Sequence, residues 1–306
     1  MRLHYLLLTL FVMLLCALFP FYAGPYFISL STTVLTYVTL VAAWNIISGY
    51  AGYIFLGSAA FYGTGMYINA VFGKGFTIYG AILLAFSLAF AIGFGLGYPF
   101  LRLRGTYFVI ATLALSELIK NIITYVEIRY TQTVGRFTVL LPHLQLYYLM
   151  LIITVITVLV CAKLRSTKFG LGLLAIKNDE DAAKAMGVPT LLYKLSAFGL
   201  SAAIMAAAGA VMGSRVGYID PTFAFSSNIS LFVLVMGYLG QPGNILGGVI
   251  TATFLALAFE IFLTSGQPYP FGVLLAFILL AAISGKLRTL MHKLSSHLSL
   301  LRSRPL

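Results

Sequence analysis

Seven carboxylates, four histidines and two cysteines are the side chains of this 306-residue sequence that could carry chemistry. Their spacing argues against catalysis. His4, His143, His292 and His297 fall in loops or near the ends, without the paired-histidine helix of a zinc hydrolase. Cys16 and Cys161 each sit in an apolar run with neither CxxC nor metal-like spacing, and read as small buried hydrophobes. No GxSxG elbow presents a nucleophile, and no glycine-rich loop ending in Gly-Lys-Ser/Thr cradles a phosphate. An enzyme is not expected, nor a cofactor or metal bound by this chain.

Two carboxylates lie in apolar segments. Glu117 has Lys120 one helical turn later, a spacing that places both on one face; Glu260 lies towards the end of another segment. Carboxylates at membrane depth are functional candidates, and Glu117 either braces a helix bundle through Lys120 or faces a cavity. No file of Asp, Glu and His crosses the chain, which disfavours a proton-driven carrier.

The remaining carboxylates include a run in the polar segment 163–194. Asn178 is placed to cap a short helix over roughly 179–186, with Asp179, Glu180 and Asp181 in its first turn, where the helix dipole favours negative charge. Ala182, Ala183 and Ala185 give it a small-residue surface, and Gly187 followed by Pro189 stops it. A solvated connector has no need of an alanine face; a surface that another protein approaches closely does.

A second irregular stretch, Asn45 to Tyr67, is broken by Gly49, Gly52, Gly57, Gly63 and Gly65 with Asn45, Ser48, Ser58 and Thr64 between them. Irregular backbone at membrane depth survives only where protein or a water-filled cavity covers it, and transporters place substrate sites at such interruptions. Ordinary small-residue packing is the competing reading. Asn45, Ser48, Gly49, Gly52, Gly57 and Ser58, with Glu117, are the candidate pathway residues. Elsewhere the rows Ala89, Gly93, Gly97 and Gly209, Gly213 have the small-xxx-small spacing of helix packing.

The elements that must position these residues follow from composition. Hydrophobic residues make up 61% of the chain and charged ones 8%, with mean hydropathy +1.01. A soluble domain carries about a quarter charged residues, so the class is an all-α, polytopic helical membrane protein. Spans of about twenty apolar residues cross about 30 Å of hydrocarbon. They are expected at 5–22, 27–47, 54–72, 78–100, 106–124, 147–164, 191–212, 226–239, 245–264 and 269–284, the first an uncleaved span and 54–72 and 226–239 the weakest; the total is eight to ten.

The net charge of +12 is not interleaved with stacking aromatics, which argues against nucleic acid. Fourteen of the nineteen basic residues fall on one side of the ten-span arrangement: Arg2, Arg102, Arg104, six in loop 163–194 and five in the tail 285–306. Lysine and arginine mark the cytoplasmic side, so both termini are expected there.

Several of these stretches together resemble a known family. Asp181-Ala182-Ala183 followed by Gly187 is similar to the EAAxxxG loop of bacterial ABC-importer permeases, with Asp in place of Glu. The run Leu101-Arg102-Leu103-Arg104-Gly105-Thr106-Tyr107-Phe108, continuing to Glu117, resembles the signature of the branched-chain amino acid permeases, LivM-type. So do Asn45–Tyr67, Gly217-Tyr218-Ile219-Asp220-Pro221 and the Gly240–Gly248 cluster.

The resemblance covers most of residues 35–284. It implies one transmembrane permease domain over 1–306, in the bacterial inner membrane. Its partners would be cytoplasmic ABC ATPase subunits that use the ATP, a second related permease and an external solute-binding protein. Asp181, Ala182, Ala183 and Gly187 would form the ATPase-coupling helix. The implied substrate is a branched-chain or similar amino acid; the same architecture carrying urea, amides or another small solute is the alternative, and an ATP-independent channel a more distant one.

Overall fold

The computed structural model describes residues 18–264 except 74, 76 and 104. The expected span 269–284, the tail 285–306, most of span 5–22 and residues Cys16 and Arg104 lie outside the described residues. The chain divides into two units, residues 1–257 and 258–306; in the second, 258–264 are described and are helical.

After a short 3-10 turn at Phe19–Phe21, helix α1 (Pro25–Trp44) opens with proline in its first turn, where the missing N–H costs nothing. It runs into a wider π-helical turn at Asn45–Tyr50. Residues 51–57 form no regular element, and α2 (Ser58–Phe72) follows. The expected span 54–72 is thereby shortened: fifteen helical residues extend about 22 Å, less than the hydrocarbon thickness.

Helix α3 (Ile78–Phe100) has the expected bounds. Helix α4 (Thr106–Thr131) runs seven residues beyond the expected 106–124. The added turns end in charged residues that lower their apparent hydropathy, yet Glu127 among them is buried and paired. Strand β1 (Arg136–Phe137) and helix α5 (His143–Leu164) come next.

The polar segment 163–194 holds two helices rather than one, α6 (Lys168–Asn178) and α7 (Glu180–Ala185). Then come α8 (Thr190–Gly213), β2 (Tyr218–Ile219), α9 (Pro221–Ala224), α10 (Ser227–Leu239) and α11 (Ile245–Thr264). The expected span 226–239 begins earlier, as α9 and α10 with a break at Phe225–Ser226. Among the described residues six stretches are long and apolar enough to cross a membrane: 25–50, 78–100, 106–131, 143–164, 190–213 and 221–239.

Helix α8 is the core, with 89% of its most apolar window buried. Without a hydrophobic drive between helices in lipid, close backbone approach holds a bundle together. The residues of α3 that face α8 are Ala81, Ala85, Ala89, Gly93 and Gly97, all buried at four-residue spacing. On the side of α2 the approach is closer still: a Cβ on Gly209 would lie 2.0 Å from the Tyr62 carbonyl oxygen, and one on Gly65 1.9 Å from that of Ala206. Helix α5 joins α1 through the Thr39 and Thr154 hydroxyls, 2.8 Å apart, and the buried Cys161 thiol donates to the Ala42 carbonyl.

The bundle has two distinct ends. At one, β1 and β2 pair antiparallel, with Arg136 opposite Ile219, and Arg215 donates to Ser29 and Thr33. At the other lie the π-helical turn, the start of α4, helices α6 and α7, and the loop before α11.

Candidate functional site

The elbow formed by α6 and α7 is built from local capping. The Thr167 hydroxyl accepts from Gly170 N at 3.1 Å and starts α6. Asn178 does not cap α7 as expected; it is the last residue of α6, and Asp179, with extended backbone, takes the cap instead. Its Oδ1 accepts from the N–H groups of Asp181 and Ala182 at 2.9 and 3.0 Å. Helix α7 stops by the two-bond glycine motif: Gly187 N donates to Lys184 O and Val188 N to Ala183 O, with Gly187 at φ +81°.

The alanine face is split by this geometry. Ala183 is fully buried, whereas Asp181, Ala182, Ala185, Met186 and Gly187 are exposed. The surface open to another protein is therefore Ala182, Ala185 and Met186, with Asp181 and Gly187 at its edges.

Glu180, the first residue of α7, is the hub. Its Oε1 accepts from Lys194 Nζ at 2.7 Å and from Lys184 Nζ at 3.2 Å, and its Oε2 accepts from Tyr53 Oη at 3.4 Å. Lys194 Nζ also donates to Tyr53 Oη at 3.1 Å. Lys194 is only 5% exposed, so its charge depends on these partners. Burial pushes the Glu180 carboxyl up, but hydrogen bonds from Lys194 and Lys184 outweigh it and hold it below its ordinary value. The bonds of Lys184 to Glu180 and Asp181 hold its ammonium above the ordinary lysine range.

The interrupted segment 45–58 lies against this elbow. Lys177 Nζ, near the end of α6, donates to the Gly49 carbonyl at 2.9 Å. Gly52, at φ +82°, turns the backbone beneath the Lys177 stem, where a Cβ would lie 2.9 Å from Cγ. Asn45 Oδ1 accepts from Gly243 N at 2.7 Å, and a Cβ on Gly49 would strike that same oxygen. Ser48 Oγ accepts from Phe55 N, so the segment is folded on itself as well as on its neighbours.

Gly57 caps α2. Around it, Leu56 N donates to Thr112 Oγ1 at 3.2 Å and Ala59 N to Ser230 Oγ at 2.9 Å, which brings the starts of α2 and α10 to mid-α4. Ser58 Oγ and Ser116 Oγ are buried there without a hydrogen-bond partner among the described residues. Glu117 bonds both Lys120 and Ser227 Oγ, and is half exposed. The structure thus brings Gly57, Ser58 and Glu117 to one junction. It places Asn45, Ser48, Gly49 and Gly52 at the elbow, engaged in packing and backbone bonds.

A cleft of about 640 Å³ separates the elbow from α4, with Gly52 and Tyr53 on one wall, Gly105 and Thr106 on another, and Asn178 and Asp181 on the third. Sequence reasoning missed Lys177, Lys194 and Tyr53, along with Glu127, whose buried carboxylate accepts from Arg136 Nε at 3.1 Å and Gly135 N at 2.7 Å. A lysine inside the apolar run 191–212 was the one signal of a buried partner.

Residues 26–284 match the family described as branched-chain amino acid transport system / permease component. The chain belongs to this family. The permease is 26% identical over 287 residues to the high-affinity branched-chain amino acid transport system permease protein LivM of Escherichia coli K12, covering 82% of this chain and 67% of that protein. It is a LivM-type permease, all-α and polytopic. Shorter matches reach the L-arabinose transport system permease protein AraH of the same organism, at 28% over 39% of this chain and 38% of that one. The autoinducer 2 import system permease protein LsrC of Salmonella paratyphi B matches at 30% over 33% of this chain and 30% of its own length. No solved structure matches the permease.

Proposed function

We propose that this permease is the membrane subunit of a bacterial importer that moves branched-chain or similar amino acids into the cytoplasm by alternating access. Separate ABC ATPase subunits supply the energy, a second related permease completes the channel, and an external binding protein delivers the solute. The observation that carries this reading is the capped elbow at 168–187, whose exposed Ala182, Ala185 and Met186 offer a small apolar platform beside the interrupted segment.

Lys163, Arg165, Lys168, Lys177 and Lys184 fall in or beside the elbow, and this concentration of positive charge supports a cytoplasmic position for that end. Asp181, Ala182, Ala183 and Gly187 then form the coupling helix, with Ala183 as its inward anchor. The junction of α2, α4 and α10, with the Ser58 and Ser116 hydroxyls unpartnered among the described residues and the Glu117–Ser227 bond, suits a small polar or zwitterionic solute. The L-arabinose and autoinducer 2 systems named for the more distant relatives favour a second reading, the same architecture carrying another small solute.

The test is uptake into liposomes holding the assembly purified from native membranes in mild detergent. Labelled leucine, isoleucine or valine should enter only with ATP and binding protein. Uptake of arabinose or urea instead would move the substrate class while keeping the importer. Flux without ATP would replace the importer by a channel.

A further inference from the structure

Three side-chain hydrogen bonds between α7, the start of α8 and the link 51–57 converge on one point. Glu180 starts α7; Lys194 lies near the start of α8, the most buried helix; Tyr53 lies in the irregular link between α1 and α2. The three side chains bond one another in a closed triangle, at 2.7, 3.1 and 3.4 Å, with the Lys194 ammonium 5.4 Å from the Tyr53 ring centre. On the other side of this triangle lies the 640 Å³ cleft, beyond which α4 begins.

We infer that Glu180, Lys194 and Tyr53 are the transmission contact of the importer: they make α7, the start of α8 and the 51–55 part of the link move as one body. That body shears against the first turn of α4 along the cleft, with the bond from Leu56 N to Thr112 Oγ1 as the fixed point beyond it. The inference rests on the proposed importer function and names the residues through which its coupling helix acts. The bond from Lys177 to the Gly49 carbonyl attaches α6 to the same body, so the π-helical turn travels with it. These are positioning residues; none touches a solute.

The physical argument turns on cost. Two ions at a joint that is largely out of water are expensive, and an apolar pair of similar volume would hold a static fold as well or better. A closed ionic triangle does something an apolar contact does not: it fixes direction, because each bond weakens steeply with angle and distance. A push on α7 is therefore delivered to Tyr53 and to α8 together. The first turn of α4 meets Tyr53 edge-on through the Phe108 ring, without a hydrogen bond to Tyr53 and with the open cleft beside it. The directional bond between the link and α4, Leu56 N to Thr112 Oγ1, lies one turn further along and leaves this end free to shift about it.

The discriminating variant removes both charges at once. Removing Lys194 alone leaves a largely buried carboxylate with only the half-exposed Lys184 as its ion partner and destabilises the protein for reasons unrelated to coupling, whereas Glu180→Gln with Lys194→Met removes both buried charges together. In the purified assembly the double variant should keep its ATPase subunits, its melting temperature and its ATP hydrolysis, while ATP-driven uptake falls at least tenfold. Lys194→Arg, which keeps the charge, should retain most of it.

If the double variant transports at the wild-type ratio of solute to ATP, the triangle is mere fold support and the inference is overturned. It is overturned equally if uptake and melting temperature fall together and Lys194→Arg restores both in parallel. If wild-type assembly carries no ATPase, or moves solute without ATP, the importer reading fails and takes this one with it.

Discussion

Gly187 sits at φ +81° with no atom within 4 Å of where a Cβ would stand. Its requirement is conformational and not spatial, and this separates two effects that a single bulky substitution would mix. Any L-residue there meets the same left-handed backbone penalty, about 1–2 kcal/mol, so Gly187→Ala and Gly187→Leu should lose similar thermal stability. The leucine alone projects a large side chain from the edge of the exposed platform. Uptake should fall much further in Gly187→Leu than in Gly187→Ala, at equal melting temperature, if another protein packs there.

Glu180 supplies a pH test at the same scale. Its folded-state carboxyl lies below the ordinary 4.5, so its contribution is complete above that value and is lost as the pH falls through the lower folded one. The melting temperature of the wild type should drop on acidification from about pH 6 to about pH 3 more steeply than that of Glu180→Gln with Lys194→Met. Equal slopes would mean that this carboxylate is not held by its partners.

Among the elements, the packing of α8 sets the sensitivity of the whole bundle. On Gly209 an added methyl would meet the Tyr62 backbone at 2.0 Å, and backbone cannot swing aside. Gly209→Ala should cost about 1–3 kcal/mol through forced separation of α2 and α8. Gly95, on the open side of α3, has nothing within 4 Å, and Gly95→Ala should be neutral or gain up to about 1 kcal/mol of helix propensity. Thermal unfolding in detergent, the two variants side by side, reads the contrast.

The same elements show what the sequence made legible. The bounds of α3 and the start of α11 follow from uniform apolar runs opened or closed by glycine, proline or charge, and α8 is placed within a residue. Helix α6 escaped because Lys168, Gly170 and Gly172 read as loop; in the fold those glycines seat α6 closely on the Leu164 carbonyl and the Tyr193 ring. The last turns of α4 escaped because the burial of Glu127 depends on Arg136, Tyr67 and the Gly135 N–H, partners that no local window contains. The glycine-rich interruption at 45–58 was visible as a pattern. Its division, with Asn45 to Gly52 serving the elbow and Gly57 and Ser58 the junction beside Glu117, needed long-range contacts with Lys177, Gly243, Thr112 and Ser230.

For the molecule as a whole, charge and topology agree. The lysines and arginines of 163–194 gather around the elbow, while the opposite end holds the two-stranded β1–β2 ribbon and the Glu127–Arg136 pair. That ribbon joins the segment just after α4 to the segment just after α8. Residues 137–218, which contain α5, the elbow and α8, therefore form a closed bight of chain, fastened at its base by β1 against β2 and carrying the elbow at its opposite extremity. A body pinned in this way answers a push by pivoting about its base, and the same pivot is felt beside the elbow as shear along the cleft. Under the proposed importer function, a stroke at the elbow becomes a tilt about the ribbon, largest at the elbow end and smallest at the ribbon end, so that one end of the bundle can open while the other stays shut.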